Sequence, residues 1–412
     1  MHDETYITKS NFTFKHTSTE YRNMNLGIDR MSLAINAMGN PCNKIPAIHI
    51  AGTNGKGSIA AFINSILSLV DIKTGVTTSP HLVDWVERIC INKNQISKKE
   101  FESLSLALKP IVKKYSLTPF ESVIAIALKY FTLKEVELLI LEVGLGGRLD
   151  ATTAHKYRPI IAFGAIGLDH CEFLGDSLEK IAIEKASVIT PRSTVITATQ
   201  HNIVKRIFNE IAKSQQAVIH WVDPLPTDWE LGLSGAIQKE NAAVAKGVIK
   251  ALKDLGWSIS EEQIRKGLSL AKWPGRLQKT KWEGMPIFID GAHNPQAAKQ
   301  LSIETASWTD QGNGMIWILG IQKQKNILSI LNNLLREKDL AWIVPIPNLK
   351  SWSKDQILSC CPEYKNKLKE AMSVEEVLLI LKQQKEWPSP PPIITGSLYL
   401  IGDLLQRQIF KN

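Results

Sequence analysis

Apolar and polar positions follow two different periods along the chain. Short apolar runs such as IPAIHIA, VELLILEV and PIIAFGAIG are separated by longer stretches, such as SIAAFINSILSLV, in which apolar residues recur every three or four positions. Short apolar runs bounded by turns predict buried strands, and the longer period predicts amphipathic helices. Between Ile45 and Thr190 this alternation predicts a mostly parallel sheet covered by helices.

A second series of the same kind follows the stretch KWPGRLQKTKWEGMP. The runs IFID, MIWIL, AWIVPI and PPIIT each end in a turn-rich segment and are followed by a helical pattern. We therefore predict an α/β protein with a boundary between Trp273 and Pro286, giving domains over residues 1–275 and 286–412. Ligands of open α/β sheets bind at the carboxyl ends of the strands, where we expect the site.

Composition narrows the class of partner. The chain has 412 residues with 44% hydrophobic content, enough for two cores. A net charge of +9 favours anionic partners such as nucleotides, carboxylates or nucleic acid, but no arginine-rich arm or RNA-binding aromatic pattern supports the last. Five cysteines without a C-x-x-C pair favour a reducing compartment. With no signal-peptide pattern and no apolar run of membrane-spanning length, we predict a cytoplasmic protein without a membrane partner.

The stretch HIAGTNGKGS lies where the first apolar run meets the first helical pattern. Glycines there would let backbone N–H groups approach phosphate oxygens, Lys56 would reach the outer phosphates, and Ser58 could hold Mg²⁺. Gly57 separates the lysine from the serine, so the match to G-x-x-x-x-G-K-[ST] is imperfect. A plain turn is the alternative, but a turn has no use for the lysine.

Two further strand ends carry candidate chemistry. Glu142 closes the run LLILE and is either a magnesium ligand or an acid at a solvated strand end. Asp169 and His170 follow the run IIAFGAIG, where the histidine is either a ligand or a structural residue. Lys185 lies on an otherwise apolar helical stretch and has no role from the residues alone.

The second series contributes polar residues of its own. Asp290, His293 and Asn294 lie in the turn after the strand IFID, and Arg276 lies at the domain junction. A carboxylate there could accept a hydrogen bond from a ribose hydroxyl, and an arginine could bind phosphate. A phosphate-loop switch would not need this second crevice, and a basic nucleic-acid-binding protein would show clustered basic and aromatic residues.

Seven motifs, HIAGTNGKGS, TTSPHL, LEVGLGGRLDAT, LDHCEFLG, IAIEKASVI, WPGRLQ and IDGAHNP, follow one another in this order. In order and spacing the chain resembles, from about Asn25 to Gly402, the folylpolyglutamate synthase and dihydrofolate synthase family, relatives of the Mur ligases. The resemblance implies an N-terminal phosphate-loop ATP-binding domain with a mostly parallel sheet and a smaller C-terminal Rossmann-like glutamate ligase domain.

The same resemblance implies an activity. With ATP and Mg²⁺, L-glutamate would be ligated to dihydropteroate, forming dihydrofolate, and to reduced folates, extending a polyglutamate chain. The acceptor carboxylate would first become an acyl phosphate. The alternatives in this class are an enzyme with only one of the two activities and a Mur-type amino-acid ligase.

The resemblance also assigns roles residue by residue. It implies nucleotide contacts at Gly52, Thr53, Asn54, Gly55, Lys56, Gly57, Ser58, Asn241, Arg276 and Asp290. It implies magnesium ligands at Ser58, Glu142, His170 and Lys185, the last as a carbamylated lysine. It implies pterin-substrate contacts at Thr118, Phe120 and Ala151, and catalytic roles for Lys56, His170 and Lys185. Because every role falls in one two-domain cleft, we predict a monomer.

The chain departs from the family pattern at several positions. In LGIQKQKN, Gln322 and Gln324 flank Lys323 where the family commonly has acid, lysine, acid. DATT lacks the usual final asparagine, Ser187 replaces a glycine, and Pro119 replaces a residue that is often aromatic. These changes concern substrate preference more than the ATP and metal positions.

Overall fold

The computed structural model describes residues 27–309 and 313–410. The N-terminal stretch 1–16, for which the sequence predicts no signal peptide, and Asn25, where the family resemblance begins, lie outside the described residues. The strands are β1 (Ala47–Ala51), β2 (Thr74–Thr77), β3 (Ile89–Ile91), β4 (Asn94–Gln95), β5 (Leu138–Glu142), β6 (Ile160–Phe163), β7 (Thr194–Ala198), β8 (Val218–Val222), β9 (Gln278–Trp282), β10 (Met285–Ile289), β11 (Ile316–Leu319), β12 (Leu340–Ile343), β13 (Leu368–Glu370) and β14 (Ile393–Thr395). The α-helices are α1 (Asp29–Ala37), α2 (Lys56–Leu67), α3 (Lys98–Tyr115), α4 (Pro119–Leu133), α5 (Cys171–Leu174), α6 (Leu178–Ala186), α7 (Asn202–Ser214), α8 (Ile237–Ala251), α9 (Glu261–Leu270), α10 (Pro295–Glu304), α11 (Ile327–Leu334), α12 (Lys354–Cys360), α13 (Val374–Lys382) and α14 (Leu398–Gln406).

The first sheet has the strand order β4-β3-β2-β5-β1-β6-β7-β8. All of its pairings are parallel except those of β3, which is antiparallel to β2 and to β4. The central strand β1 lies between β5 and β6, so the carboxyl ends of these three strands meet at one edge. The prediction of a mostly parallel α/β sheet is confirmed.

Alternate residues of β1 face two different helical layers. Ile48 and Ile50 pack with α2, α8 and α9, whereas Ala47 packs with α1, α3 and α4 and Ala51 with α6 and α7. Each fully buried aliphatic side chain of this kind stabilises the fold by roughly 1.5–3 kcal/mol. The predicted apolar face of α2 is buried at Ile59, Phe62, Ile63, Ile66 and Leu67, while Val70 lies beyond the end of the helix. The docked helix holds its N-terminus at the end of β1.

The second sheet has the order β13-β12-β11-β14-β10-β9 and is parallel apart from the edge strand β9. Helices α10, α11 and α12 pack on one face, and α13 and α14 pack on the other. The four predicted runs form β10, β11, β12 and β14. The sequence analysis missed β9, an edge strand whose QKTKW run contains a single apolar residue, and β13, which is only three residues long.

The two sheets divide the chain between α9 and β9. Helix α9 packs on the first sheet and β9 belongs to the second. We therefore propose that the boundary lies within residues 271–277, at the start of the predicted range of Trp273 to Pro286 and ahead of Pro286 itself.

The two units touch through closely fitted backbone and polar contacts. Gly402 of α14 lies so near the carbonyl oxygen of Leu82 that a Cβ at position 402 would overlap it. Asn54 donates through Nδ2 to Oε1 of Gln296 at 2.8 Å. These contacts bring the carboxyl ends of β1, β5 and β6 opposite the turn that follows β10. Among the described residues, no helix combines the length and hydrophobicity needed to cross a bilayer.

Candidate active site

The predicted phosphate loop connects β1 to α2. Gly52 and Gly55 have positive φ angles of 143° and 86°, a backbone path that favours glycine. Lys56 begins α2, and its Nζ folds back to within 3.2 Å of the carbonyl oxygens of Gly52 and Thr53. The loop therefore combines a helix N-terminus with an ammonium group, as phosphate binding requires.

The extra glycine of the loop has a steric cause. The indole of Trp273 lies only 2.8 Å from the position that a Cβ of Gly57 would occupy. A side chain at position 57 would push this ring away, and the ring lies at the junction to the second unit. Packing against Trp273 thus explains why the residue between Lys56 and Ser58 is a glycine.

Glu142 at the end of β5 is a buried carboxylate with one oxygen held. Its Oε2 accepts a hydrogen bond from the backbone N–H of Ser79 at 3.0 Å. Burial raises the pKa of Glu142 to about 7, although the positive charge of Lys56 acts to lower it. The hydroxyl of Ser79 is buried and has no hydrogen-bond partner among the described residues. A carboxylate and an orphaned hydroxyl side by side fit a hard divalent cation, which prefers oxygen ligands.

His170 and Lys185 lie on the opposite side of the loop. Burial lowers the pKa of His170 to about 3, so its ring is neutral and able to ligate a metal. Lys185 is buried, and its Nζ donates to the carbonyl oxygen of Gly52 at 2.9 Å. Burial, followed by repulsion from Lys56, lowers the pKa of Lys185 to about 7. A large fraction of this amine is therefore uncharged near neutral pH.

Asp169 is the centre of the polar contacts between the two units. Its carboxylate accepts from Nζ of Lys325 at 2.7 Å and from Nδ2 of Asn294 at 3.0 Å, and it lies 3.7 Å from Nε2 of His293. Burial alone would raise the pKa of Asp169, but His293 and Lys325 hold it below its usual value. Three residues of the second unit thus converge on one carboxylate beside His170.

The second unit also encloses Asp290. Its two carboxylate oxygens accept from the backbone N–H groups of Leu277 and Ala292, both at 2.7 Å, and burial raises its pKa. These two hydrogen bonds fix the backbone conformation at the domain junction. Asp290 also has the predicted role of a ribose contact. Arg276 donates to the carbonyl oxygen of Gly275 at 2.9 Å, and Asn241 donates to Oε1 of Gln238 at 3.0 Å.

The predicted acceptor residues lie at the far end of the cleft. Thr118 is the N-cap of α4, and its side chain accepts from the backbone N–H of Glu121. Arg88, which the sequence analysis did not single out, donates through Nε to Nδ1 of His81 at 2.8 Å and lies 4.3 Å from the ring of Trp85. At this end of the cleft the ring of Trp85 forms an aromatic wall beside the guanidinium of Arg88. This guanidinium is suited to an anionic acceptor.

All predicted site residues line one cavity of about 1540 Å³, which is larger than a typical single-ligand pocket of about 300–1,000 Å³. Those predicted for the nucleotide are Gly52, Thr53, Asn54, Gly55, Lys56, Gly57, Ser58, Asn241, Arg276 and Asp290. Those predicted for metal or acceptor are Glu142, His170, Lys185, Thr118, Phe120 and Ala151. The structure thus brings every predicted site residue to one cavity.

Among the lining residues that were not predicted from the sequence, Ser79, Arg88 and Lys325 bear most directly on the chemistry of the site. The loop LGIQKQKN presents Lys325 to the cleft, whereas Lys323 donates to Oε1 of Gln356 and lies over the ring of Trp352. Lys325, flanked by Gln324 and Asn326, therefore lines the cleft, whereas Lys323, at which the departure from acid, lysine, acid was noted, does not. Alternating QKQK residues give no signal of which lysine turns inward.

Comparisons with known proteins agree with this arrangement. The family model described as the Mur ligase middle domain matches residues 50–223, and the model described as the dihydrofolate synthetase C-terminal domain matches residues 275–407. The dihydrofolate synthetase of Saccharomyces cerevisiae is 31% identical, with 92% of this chain and 97% of the relative covered. The dihydrofolate synthase/folylpolyglutamate synthase of Bacillus subtilis is 31% identical, with 92% and 94% covered.

Solved structures match the whole fold. Mycobacterium tuberculosis folylpolyglutamate synthase, complexed with ADP and AMPPCP, superimposes with a TM-score of 0.84 at 24% identity, covering 94% of this chain and 96% of that chain. The bifunctional folylpolyglutamate synthase/dihydrofolate synthase of Yersinia pestis, complexed with AMPPNP and a Mn ion, gives a TM-score of 0.81 at 25% identity, with 96% and 95% covered. Both matches span the two sheets together.

The elevated pKa of Glu142 predicts pH-dependent cation binding. A carboxyl group with a pKa of about 7 is mostly protonated at pH 6 and must lose its proton to bind a divalent cation. We expect the affinity of the protein for Mn²⁺ to rise about tenfold between pH 6 and pH 8, measured by electron paramagnetic resonance of free Mn²⁺.

The variant Glu142→Gln should bind Mn²⁺ weakly and with little pH dependence. Glu137, which lies next to the opposite end of β5 and is exposed, supplies the matched control Glu137→Gln, which should behave as the wild type. Equal effects of the two substitutions would contradict the assignment.

Proposed function

The chain belongs to the folylpolyglutamate synthase and dihydrofolate synthase family, and we propose on this premise that it is an ATP-dependent ligase that joins L-glutamate to dihydropteroate and to reduced folates. The observation that carries this proposal is the single cavity in which the phosphate loop, Glu142, His170 and Lys185 of the first unit face Asp290 and Lys325 of the second. Relatives named for both activities, and a family structure holding a nucleotide and Mn, support ATP and a divalent metal as the cofactors.

In this reaction one oxygen of the acceptor carboxylate attacks the γ-phosphorus of ATP, and ADP leaves. The amine of glutamate then attacks the acyl phosphate, and inorganic phosphate leaves as the amide forms. Such chemistry needs positioning and charge neutralisation more than a nucleophilic side chain. Lys56 supplies a fixed positive charge at the phosphates, and Arg88 with the aromatic wall holds the anionic acceptor.

We assign the metal to two positions. Ser58, Ser79 and Glu142 would hold one magnesium ion beside the phosphates, and His170 with a modified Lys185 would hold a second. When bound, the ions neutralise charge on the transferred phosphoryl group. The orphaned hydroxyl of Ser79 is the observation that supports the first position, since no protein group satisfies it among the described residues.

We further propose that Lys185 is carbamylated. The uncharged Nζ attacks CO₂, a bond forms from nitrogen to carbon, and one proton is released, so that a carboxylate-like oxygen donor replaces a cation. The depressed pKa of about 7 supports this step, because only the neutral amine reacts. It also removes the repulsion between Lys185 and Lys56 in a buried setting.

One chain supplies every assigned role, so we infer that the enzyme acts as a monomer. All five cysteines are free thiols, which supports a reducing compartment, and we propose the cytoplasm.

The function is tested by incubating purified protein with ATP, Mg²⁺ and L-glutamate together with either dihydropteroate or tetrahydrofolate, and following glutamylated product by mass spectrometry. We expect product from both acceptors. The variant Lys56→Ala should lower the rate by about 10²–10³-fold through loss of charge stabilisation, while Lys44→Ala, at an exposed turn before β1, should leave it unchanged.

Product from one acceptor alone would limit the enzyme to one of the two activities. Absence of product from both, with nucleotide still bound, would overturn the proposal and favour a Mur-type acceptor. Near-normal turnover by Lys56→Ala would contradict the role of the phosphate loop.

Carbamylation predicts a chemical rescue. Lys185→Ala should lose ligase activity, and added formate or acetate should restore part of it by supplying the missing carboxylate. Lys180→Ala on the same helix removes an exposed lysine and should keep full activity. Loss of activity without any response to short carboxylates would count against a carbamate at this position.

A further inference from the structure

His49 opens the motif HIAGTNGKGS but does not line the cavity. It lies at the centre of β1, fully buried in a layer of apolar side chains. Its Nε2 lies 2.8 Å from Oγ1 of Thr152, and its Nδ1 lies 3.0 Å from a guanidinium nitrogen of Arg158. A fully buried histidine with partners on both ring nitrogens calls for a reason beyond packing.

The chemistry of the partners determines the direction of each hydrogen bond in the series that runs through His49. A guanidinium can only donate, so Nδ1 of His49 accepts from Arg158. Burial, with the charge of Arg158, keeps the pKa of His49 well below its usual value, so the neutral ring carries its proton on Nε2 and donates to Thr152. The hydroxyl of Thr152 is then free to donate to Oδ1 of Asp150 at 2.5 Å.

Asp150 connects this chain of hydrogen bonds to the cleft. Its Oδ2 accepts from the backbone N–H groups of Gly144 at 2.9 Å and Leu145 at 3.0 Å, directly after β5 and Glu142. The next residue, Ala151, is a predicted acceptor contact. The ring of Phe120 lies directly against Gly144, within 3.0 Å of the position that a Cβ there would occupy.

We propose that His49 and Thr152 are positioning residues that set the place of the acceptor pocket relative to Glu142. The inference rests on the proposed function. The hydrogen bonds Arg158–His49–Thr152–Asp150 hold the loop between Glu142 and Ala151 in one arrangement, and a buried network of this kind specifies geometry. The Nε of Arg158, at the far end of this series, has no hydrogen-bond partner among the described residues. Because phosphoryl transfer requires the reacting atoms to lie about 3–3.5 Å apart, a small displacement of the pocket is costly.

Neither His49 nor Thr152 lines the cavity, so both act through Asp150. A purely structural role would lower thermal stability and leave the ratio of the KM for dihydropteroate to the KM for ATP unchanged. A positioning role moves the acceptor and leaves the nucleotide in place, since the phosphate loop is held separately by Ala165 through the N–H groups of Thr53 and Asn54.

The test compares variants of equal size. Thr152→Val keeps the volume and removes the hydroxyl, whereas Thr152→Ser keeps the hydroxyl. Thr153→Val removes a neighbouring buried hydroxyl, which donates to the carbonyl of Gly147 at 2.7 Å and takes no part in the chain of hydrogen bonds. We expect Thr152→Val to raise the KM for dihydropteroate about tenfold with the KM for ATP within about twofold of wild type, because one buried donor and one acceptor lose their partners. Thr152→Ser should restore the wild-type KM, and Thr153→Val should not raise it selectively.

The inference is overturned if Thr152→Val and Thr152→Ser have the same KM for dihydropteroate, or if both Michaelis constants rise together in Thr152→Val. If Thr152→Val does not fold, the pair His49→Gln and His49→Met makes the same comparison, with the amide expected to retain the lower KM. Wild-type enzyme is assayed alongside. Its failure to glutamylate either dihydropteroate or tetrahydrofolate would reject the proposed function, whereas an active wild type with indistinguishable variants would reject this inference alone.

Discussion

Burial of ionisable side chains at the carboxyl ends of three neighbouring strands is the constraint on which the site depends. Glu142, His170 and Lys185 are buried away from water, which disfavours their charged forms. Burial therefore raises the pKa of Glu142 and lowers the pKa values of His170 and Lys185. A bound cation stabilises the carboxylate of such a site as an anion, and the carbamate that we propose at Lys185 would replace its ammonium. The fold produces this burial by docking α2 and α6 against opposite faces of the sheet.

The second sheet completes the site through its loops. The carboxylate of Asp169 accepts hydrogen bonds from Lys325 and Asn294 of the second unit. Asn54 of the phosphate loop donates a hydrogen bond to Gln296. These groups are side chains on loops and helix starts, and core residues such as Ile166 and Leu301 line the same cavity. The contact between the two units therefore completes the lining of the cleft. The close approach of Gly402 to Leu82 brings the backbones of the two units together on the same side of the molecule.

The sequence predicts those parts of the site whose pattern is local. The phosphate loop, α2 and the carboxylate ending β5 follow from glycines, a helical period and a buried apolar run within a few residues of one another. Ser79 was missed because its partner Glu142 lies 63 positions away and a single hydroxyl has no period. Lys325 was missed because QKQK repeats every two residues, and only the turn after β11 decides which lysine faces Asp169. The contacts of His49 likewise depend on β1 meeting the loop after β5, which no local pattern encodes.

The central claim is that one cleft transfers the γ-phosphoryl group of ATP to the acceptor carboxylate before glutamate attacks. Dihydropteroate labelled with ¹⁸O in both carboxylate oxygens tests it most directly, with the released inorganic phosphate analysed by mass spectrometry after a single round of ligation. We expect one ¹⁸O atom in each phosphate and the other in the amide carbonyl of the product. Unlabelled phosphate accompanying glutamylated product would contradict an acyl phosphate and, with it, the roles assigned to Lys56, Glu142 and Lys185.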